Sequence, residues 1–195
     1  MIRAPHFGLG LLALVLLAPA TASARPSAGG RGASHSRRPL KKASAPAAGK
    51  PNLVATFGAW GAYVAPGKDK TCYVLAQPQT RSPATLKRDP AYVFISTRPA
   101  EHVRNEVSIV EGFDVKEDSA EPANARIGTT TFPLVAKGAD LWIKDDAQQG
   151  QMIVAMKKSG QMVIKAMSLK GNVTTDTYSL DGLTQALDHV LRACR

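Results

Sequence analysis

The sequence contains few of the residues, and none of the short motifs, on which common active sites depend. Its 195 residues include two cysteines and four histidines, and no G-x-S-x-G, H-E-x-x-H, C-x-x-C or glycine-rich phosphate loop occurs. These absences argue against a serine hydrolase, a zinc peptidase and a thiol oxidoreductase. We therefore expect a protein that is not an enzyme, with no catalytic residue, no metal site and no cofactor.

Acidic residues are absent from residues 1–52. Arg3 contributes +1 and residues 25–52 contribute +7 of the formal charge of +10, which leaves +2 for residues 53–195. The basicity therefore belongs to a tail, and the nearly neutral remainder is long enough for one domain with its own core. We do not expect nucleic-acid binding, because the tail has no aromatic residue to stack on bases.

The first 24 residues have the organisation of a secretory signal peptide. Arg3 precedes a short apolar run from Leu9 to Leu17, and residues 22–24 (ASA) have the form that signal peptidase recognises. The run is shorter than the roughly 20 residues of a spanning helix, although a retained membrane anchor is the alternative. We expect cleavage after Ala24, no spanning segment afterwards, and a periplasmic or outer-membrane-associated location.

The segment from 25 to 52 is expected to be a disordered tail. Four Pro, four Gly, four Ser and six Ala accompany its seven basic residues. Such a composition cannot bury enough apolar surface to offset the entropy lost on ordering. The tail either binds an anionic envelope component, such as lipid headgroups or a cell-wall polymer, or serves as a solvated spacer.

The two cysteines are expected to form one disulfide bond, since nothing outside the cytosol keeps thiols reduced. Cys72 and Cys194 lie 122 positions apart, so the bond would join the end of the chain to an early strand. A metal site would need more ligands at shorter spacing.

After residue 52 the pattern predicts strands, with helix near the end. β-Prone runs lie at 57–64, 71–76, 91–97, 105–110, 125–127, 131–135, 141–143, 161–169 and 173–180. The run at 91–97 has apolar residues at both odd and even positions, which predicts a strand buried on both faces. Asp145 or Asp146 is expected to cap a helix that ends near Lys158, and Asp181 to open a second. The domain at 53–195 is thus predicted to be an antiparallel β-sandwich with one or two short helices, the last at the C-terminus.

Arg98, His102 and Arg104 form the candidate binding surface, in a charged connection between two predicted strands. The two arginines would bind an anionic group, whereas the plainer interpretation is a solvated loop. An unrecognised hydrolase centred on His102 is a further alternative.

The four methionines between Met152 and Met167 are expected to fill the core, because their spacing does not suit one copper site.

The chain resembles the invasion-associated locus B family of exported bacterial proteins. The likeness rests on collinear stretches that cover most of residues 57–194: 60–63 (WGAY), 72–78 (CYVLAQP), 88–99 (RDPAYVFISTRP), 103–109 (VRNEVSI), 175–180 (TDTYSL) and Cys194. The resemblance implies an immunoglobulin-like β-sandwich in the periplasm or at the outer membrane, and an association with host-cell invasion. It supplies no catalytic residues.

The sequence thus favours a non-enzymatic exported envelope protein, a disulfide-closed sandwich that binds a protein or an envelope polymer. The alternative is a structural factor for envelope stability, tethered electrostatically by its basic tail.

Co-sedimentation of residues 25–195 and of residues 53–195 with purified envelope fractions tests the role of the tail. If the tail tethers the protein, binding of the longer chain should fall steeply as salt rises from about 0.05 to 0.5 M, because the Debye length shrinks over this range. The shorter chain should lack this salt-sensitive binding. Equal, salt-sensitive binding by both chains would contradict electrostatic tethering by the tail.

Overall fold

The computed structural model describes residues 50–195. The predicted signal peptide with its cleavage site at Ala24, and residues 25–49 of the predicted tail, lie outside the described residues. Within residues 50–195 no helix has the length and apolar character needed to cross a membrane.

Twelve strands in the described part of the chain form two antiparallel sheets. The larger sheet has the order β1-β2-β3-β5-β6-β10-β9 and the smaller has the order β4-β12-β11-β7-β8. The strands are β1 (Asn52–Phe57), β2 (Trp60–Ala65), β3 (Thr71–Ala76), β4 (Thr80–Ser82), β5 (Tyr92–Arg98), β6 (Val103–Val110), β7 (Asn124–Ile127), β8 (Thr130–Pro133), β9 (Val135–Lys137), β10 (Asp140–Trp142), β11 (Gln161–Met167) and β12 (Val173–Ser179).

Two α-helices and one short turn of 3-10 helix complete the domain. Helix α1 spans Asp146–Lys158 and helix α2 spans Leu183–Ala193, while the 3-10 turn spans Pro99–Glu101. The predicted mainly β sandwich, with its last helix at the C-terminus, is confirmed.

The core lies between the two sheets, where alternate residues of each strand face inward. On β3 the inward residues are Cys72, Val74 and Ala76, and all three are buried. The indole N–H of Trp60 in the larger sheet donates to the carbonyl oxygen of Ser179 in the smaller sheet at 3.1 Å. Trp60 thus contributes a large buried apolar surface and satisfies its polar group across the core.

Helix α2 is held against the larger sheet by an apolar stripe and by a covalent bond. Leu183, Leu187 and Val190 are buried on the face that packs on β1, β2 and β3. Directly after the helix, Cys194 forms the predicted disulfide bond with Cys72, with a Cα–Cα distance of 6.0 Å. The bond fastens the end of the chain to β3.

Three local predictions were wrong because tertiary contacts decide them. The predicted strand at 57–64 is interrupted: Phe57 ends β1, the chain turns at Gly58, whose φ is +50°, and residues 60–64 belong to β2. The run at 131–135 divides between β8 and β9, which belong to different sheets. Helix α2 begins after Gly182 and receives no side-chain cap, so Asp181 does not open it through a cap.

The prediction that β5 is buried on both faces was also wrong. Val93, Ile95 and Thr97 are buried, whereas Tyr92 and Phe94 on the other face are only half-buried. That outer face carries a row of aromatic rings, in which Tyr92–Phe94 and Tyr73–Phe94 have centroid distances of 6.0 and 5.8 Å. Aromatic contacts within the sheet explain the apolar residues that the sequence pattern assigned to a second buried face.

Three of the four methionines that were predicted to fill the core do so. Met152 and Met156 of α1 and Met162 of β11 are fully buried, and Met167 at the end of β11 is partly exposed. The predicted cap of α1 is also present, since the Asp145 carboxylate accepts a hydrogen bond from the backbone N–H of Gln148 at 2.9 Å.

Replacement of both cysteines, Cys72→Ala with Cys194→Ala, tests the contribution of the disulfide bond. We expect the free energy of unfolding to fall by about 2–5 kcal/mol, because the bond closes a loop of 122 positions in the unfolded chain. Urea denaturation of the variant and of the oxidised protein measures the difference. An unchanged unfolding midpoint would show that the bond adds no stability.

Candidate functional site

The predicted binding residues lie where β5 turns into β6. Arg98 ends β5, the 3-10 turn follows, and His102 adopts a left-handed backbone conformation with a φ of 57° before β6 begins. The structure thus places the three predicted residues on one tight connection, although it uses their side chains differently.

Arg98 is already paired with two carboxylates. Its guanidinium lies 2.7 Å from the Glu106 carboxylate and 2.7 Å from the Glu101 carboxylate. The hydrogen bond to Glu106, followed by that to Glu101, raises the pKa of Arg98 above its ordinary value. Two partly exposed carboxylates pair with Arg98, so its guanidinium organises the connection.

Arg104 and His102 are exposed and line a groove. Within residues 50–195 Arg104 takes part in no ion pair, in contrast to Arg98. Of the two arginines that were predicted to bind an anion, Arg104 is therefore the one whose charge is available.

The groove has a volume of about 1020 Å³ and lies between β6, the end of β10 and α1. Its apolar lining comes from Trp142, Ile143, Ile153 and Val154, and its charged lining includes Arg104, Glu106, Asp140 and Asp146. The lining therefore mixes apolar side chains with at least as many polar and charged ones.

The groove occurs where β6 has no neighbouring strand on one side. Strand β10 pairs only with Ser108–Val110, so residues 103–107 of β6 extend beyond it. There the side-chain oxygen of Gln149 in α1 accepts a hydrogen bond from the backbone N–H of Val107 at 3.2 Å. A side chain thus takes the place that a carbonyl of a neighbouring strand would occupy.

Helix α1 leaves room on the side that faces the groove. Gly150 lies inside the helix, where glycine is less favourable than alanine by about 1 kcal/mol. A Cβ added there would meet no atom within 4 Å, so packing does not require the glycine. One turn further, Val154 is 51% exposed, which makes it an apolar side chain with open space beside it.

The sequence revealed only part of this site. It singled out Arg98, His102 and Arg104, but Gln149, Gly150 and Val154 come from a helix that is remote in sequence. The glycine within a predicted helix was the available signal. The gap beside β6 depends on long-range pairing and has no local signal.

A separate cluster of buried charges joins β4 to the smaller sheet. The Asp176 carboxylate in β12 is fully buried and lies 2.7 Å from the Arg81 guanidinium and 2.8 Å from that of Arg88. The remaining Arg81 nitrogens donate to the carbonyl oxygens of Asp89 and Glu111 at 2.7 Å. Because β4 is only three residues long, these contacts explain why an unpredicted strand forms there.

Glu111 lies beside this cluster without a hydrogen-bond partner for either carboxylate oxygen. Burial raises the pKa of Glu111 to about 7, and the negative charge of Asp176 adds to the effect while Arg81 and Arg88 oppose it. Burial also raises the pKa of Tyr178, whose hydroxyl is unpartnered too. These groups lie in the core and not in the groove, and their effect is on stability.

Within residues 50–195 no group of three or more His, Cys, Asp or Glu side chains is arranged to hold a metal ion. Comparison of the chain with protein-family models, curated proteins and solved structures finds no match. The likeness to the invasion-associated locus B family therefore stays a prediction from the sequence.

Glu111→Gln tests the pH dependence that follows from this buried carboxyl. Below its ordinary pKa of 4.5 the carboxyl is neutral in the folded and in the unfolded protein. Between pH 4.5 and about 7 the carboxyl is ionised in the unfolded chain but stays largely protonated in the folded protein. The wild-type protein should therefore lose stability as pH rises through this interval. At pH 8 the glutamine variant should be more stable by about 2–3 kcal/mol.

Urea denaturation at pH 5 and pH 8 measures this difference, with Glu121→Gln as the control because Glu121 is exposed. Identical changes between pH 5 and pH 8 in the wild type and in Glu111→Gln would contradict the prediction.

Proposed function

We propose that the chain is a non-enzymatic exported protein whose disulfide-closed β-sandwich binds a partner protein of the cell envelope in the groove between β6 and α1. The groove itself carries the proposal. It joins apolar side chains, available charges of both signs and an unpaired stretch of strand in one open depression.

A protein suits this groove better than a uniformly charged envelope polymer does. Trp142, Ile153 and Val154 offer apolar contacts that such a polymer would not use. Arg104 and Asp140 carry opposite charges on the same lining, and this mixture favours a partner with both apolar and mixed charged side chains.

Export is part of the proposal. A disulfide bond between Cys72 and Cys194 supports it, because such bonds persist in oxidising compartments outside the cytosol. Membership of the invasion-associated locus B family is proposed with it, on the collinear residues of the sequence and the sandwich that the likeness implies. A role in host-cell invasion would follow from that likeness alone.

His102 is part of the groove lining in this proposal. It is exposed, and its backbone N–H donates to the carbonyl oxygen of Pro99 at 3.1 Å. Its neighbour Arg98 is paired with carboxylates that hold the connection in shape.

Val154→Arg tests the groove as the binding site. The arginine would place a long charged side chain against the apolar wall, and we expect at least a tenfold loss of affinity for envelope fractions, about 1.4 kcal/mol. The measurement is co-sedimentation of residues 25–195 at about 0.5 M salt, where the contribution of the tail is screened.

Val173→Arg is the matched control, since Val173 is 49% exposed and lies on β12 of the other sheet. It should bind like the wild type. The proposal fails if both variants retain wild-type binding, or if the wild type shows no binding that survives high salt.

A further inference from the structure

The groove follows the line that a longer β10 would take. Strand β10 runs antiparallel to β6, with Trp142 opposite Ser108 as its last pair. After Trp142 the chain leaves the sheet and enters α1 at Asp146. Residues 103–107 of β6 therefore have no strand beside them on this side. The edge is irregular at Asn105, where φ is +52°, the pairing with β5 shifts register, and the backbone N–H donates to the Thr97 hydroxyl oxygen. The N–H of Val107 is the edge donor that faces α1 and the groove.

Two polar groups in the groove show what is missing along this edge. The Gln149 side-chain oxygen accepts the hydrogen bond from the Val107 N–H, which a carbonyl of a neighbouring strand would otherwise accept. The side-chain oxygen of Asn105, which also lines the groove, is buried and has no hydrogen-bond partner. An extended peptide supplies both a carbonyl to replace that of Gln149 and an N–H to donate to Asn105.

Charge indicates the direction of such a peptide. A segment that prolongs β10 would run antiparallel to β6, so its C-terminal end would lie at the start of β6. His102 and Arg104 are exposed at this end of the groove. An acidic residue or a free terminal carboxylate would meet their positive or polar groups there.

From these features, and resting on the proposed function, we infer that the partner contributes an extended C-terminal segment that adds to β6 as an antiparallel strand. It displaces the Gln149 side chain from Val107 and places its terminal carboxylate beside Arg104. Alternate side chains of the segment pack on Ile153 and Val154, in the space that Gly150 leaves open. Main-chain hydrogen bonds supply the affinity and the alternate side chains supply the selectivity.

A synthetic heptapeptide of alternating threonine and valine, with a free terminal carboxylate and no acidic side chain, is the probe. We expect it to shift the amide resonances of Val107 and Gln149 in the ¹⁵N-labelled protein, residues 25–195, with a dissociation constant of about 1 mM. An analogue N-methylated at alternate residues should bind at least tenfold more weakly, because it lacks the N–H groups that face β6.

Two variants separate the contribution of the backbone hydrogen bond at Val107 from that of the carboxylate contact at Arg104. Gln149→Ala should bind the probe up to about tenfold more tightly, because the Val107 N–H then has no partner before binding. Arg104→Gln should weaken binding of the free acid but not of the C-terminal amide, and Lys165→Gln, on the opposite sheet, is its control.

Equal binding of the probe and its N-methylated analogue, or no shift of Val107 at several times the expected dissociation constant, would overturn strand addition. The proposed function would survive either result if Val154→Arg still lost its binding to envelope fractions. If Val154→Arg bound those fractions like the wild type while the probe shifted Val107, the proposed function would fail and peptide addition would stand.

Discussion

The inner face of the seven-stranded sheet has to be covered across its whole width, and the five-stranded sheet is too narrow to cover it alone. The helices complete the cover: α2 packs on β1, β2 and β3, and α1 contacts β6 together with β7 and β8 of the smaller sheet. Both helices bury apolar side chains in the one continuous core. The bond from Cys194 to Cys72 keeps α2 on its part of the sheet, so that this half of the cover does not depend on side-chain packing alone.

Helix α1, which covers the other part of the sheet, has a different consequence. A helix cannot offer its backbone N–H and C=O groups to a neighbouring strand, because they are bonded within the helix. Where α1 stands beside β6, only side chains such as Gln149 can meet the strand edge. The groove is therefore the direct result of covering a sheet with a helix at a point where the adjacent strand, β10, has already ended.

Features that depend on local sequence signals could be predicted, whereas features that depend on long-range contacts could not. Strands β3, β11 and β12 and the cap of α1 by Asp145 were predictable because β-prone runs and capping act over a few positions. Strand β4 was missed, since three polar residues become a strand only when Arg81 meets Asp176, 95 positions away. The same limit applies to the site: its cationic end could be read from Arg98 to Arg104, but not the helix that faces it.

Arg98 and Arg104 show how pairing across strands decides which charge can bind. Both belong to one charged connection, and composition alone gives them the same role. The 3-10 turn brings Glu101 to Arg98 and the pairing of β5 with β6 brings Glu106 to it, so its charge is used inside the fold. Arg104 lies on the exposed side of the same connection and keeps its charge for the groove. The ion pairs of Arg98 thus shape the connection, whereas Arg104, at the start of β6, has no ion-pair partner among residues 50–195.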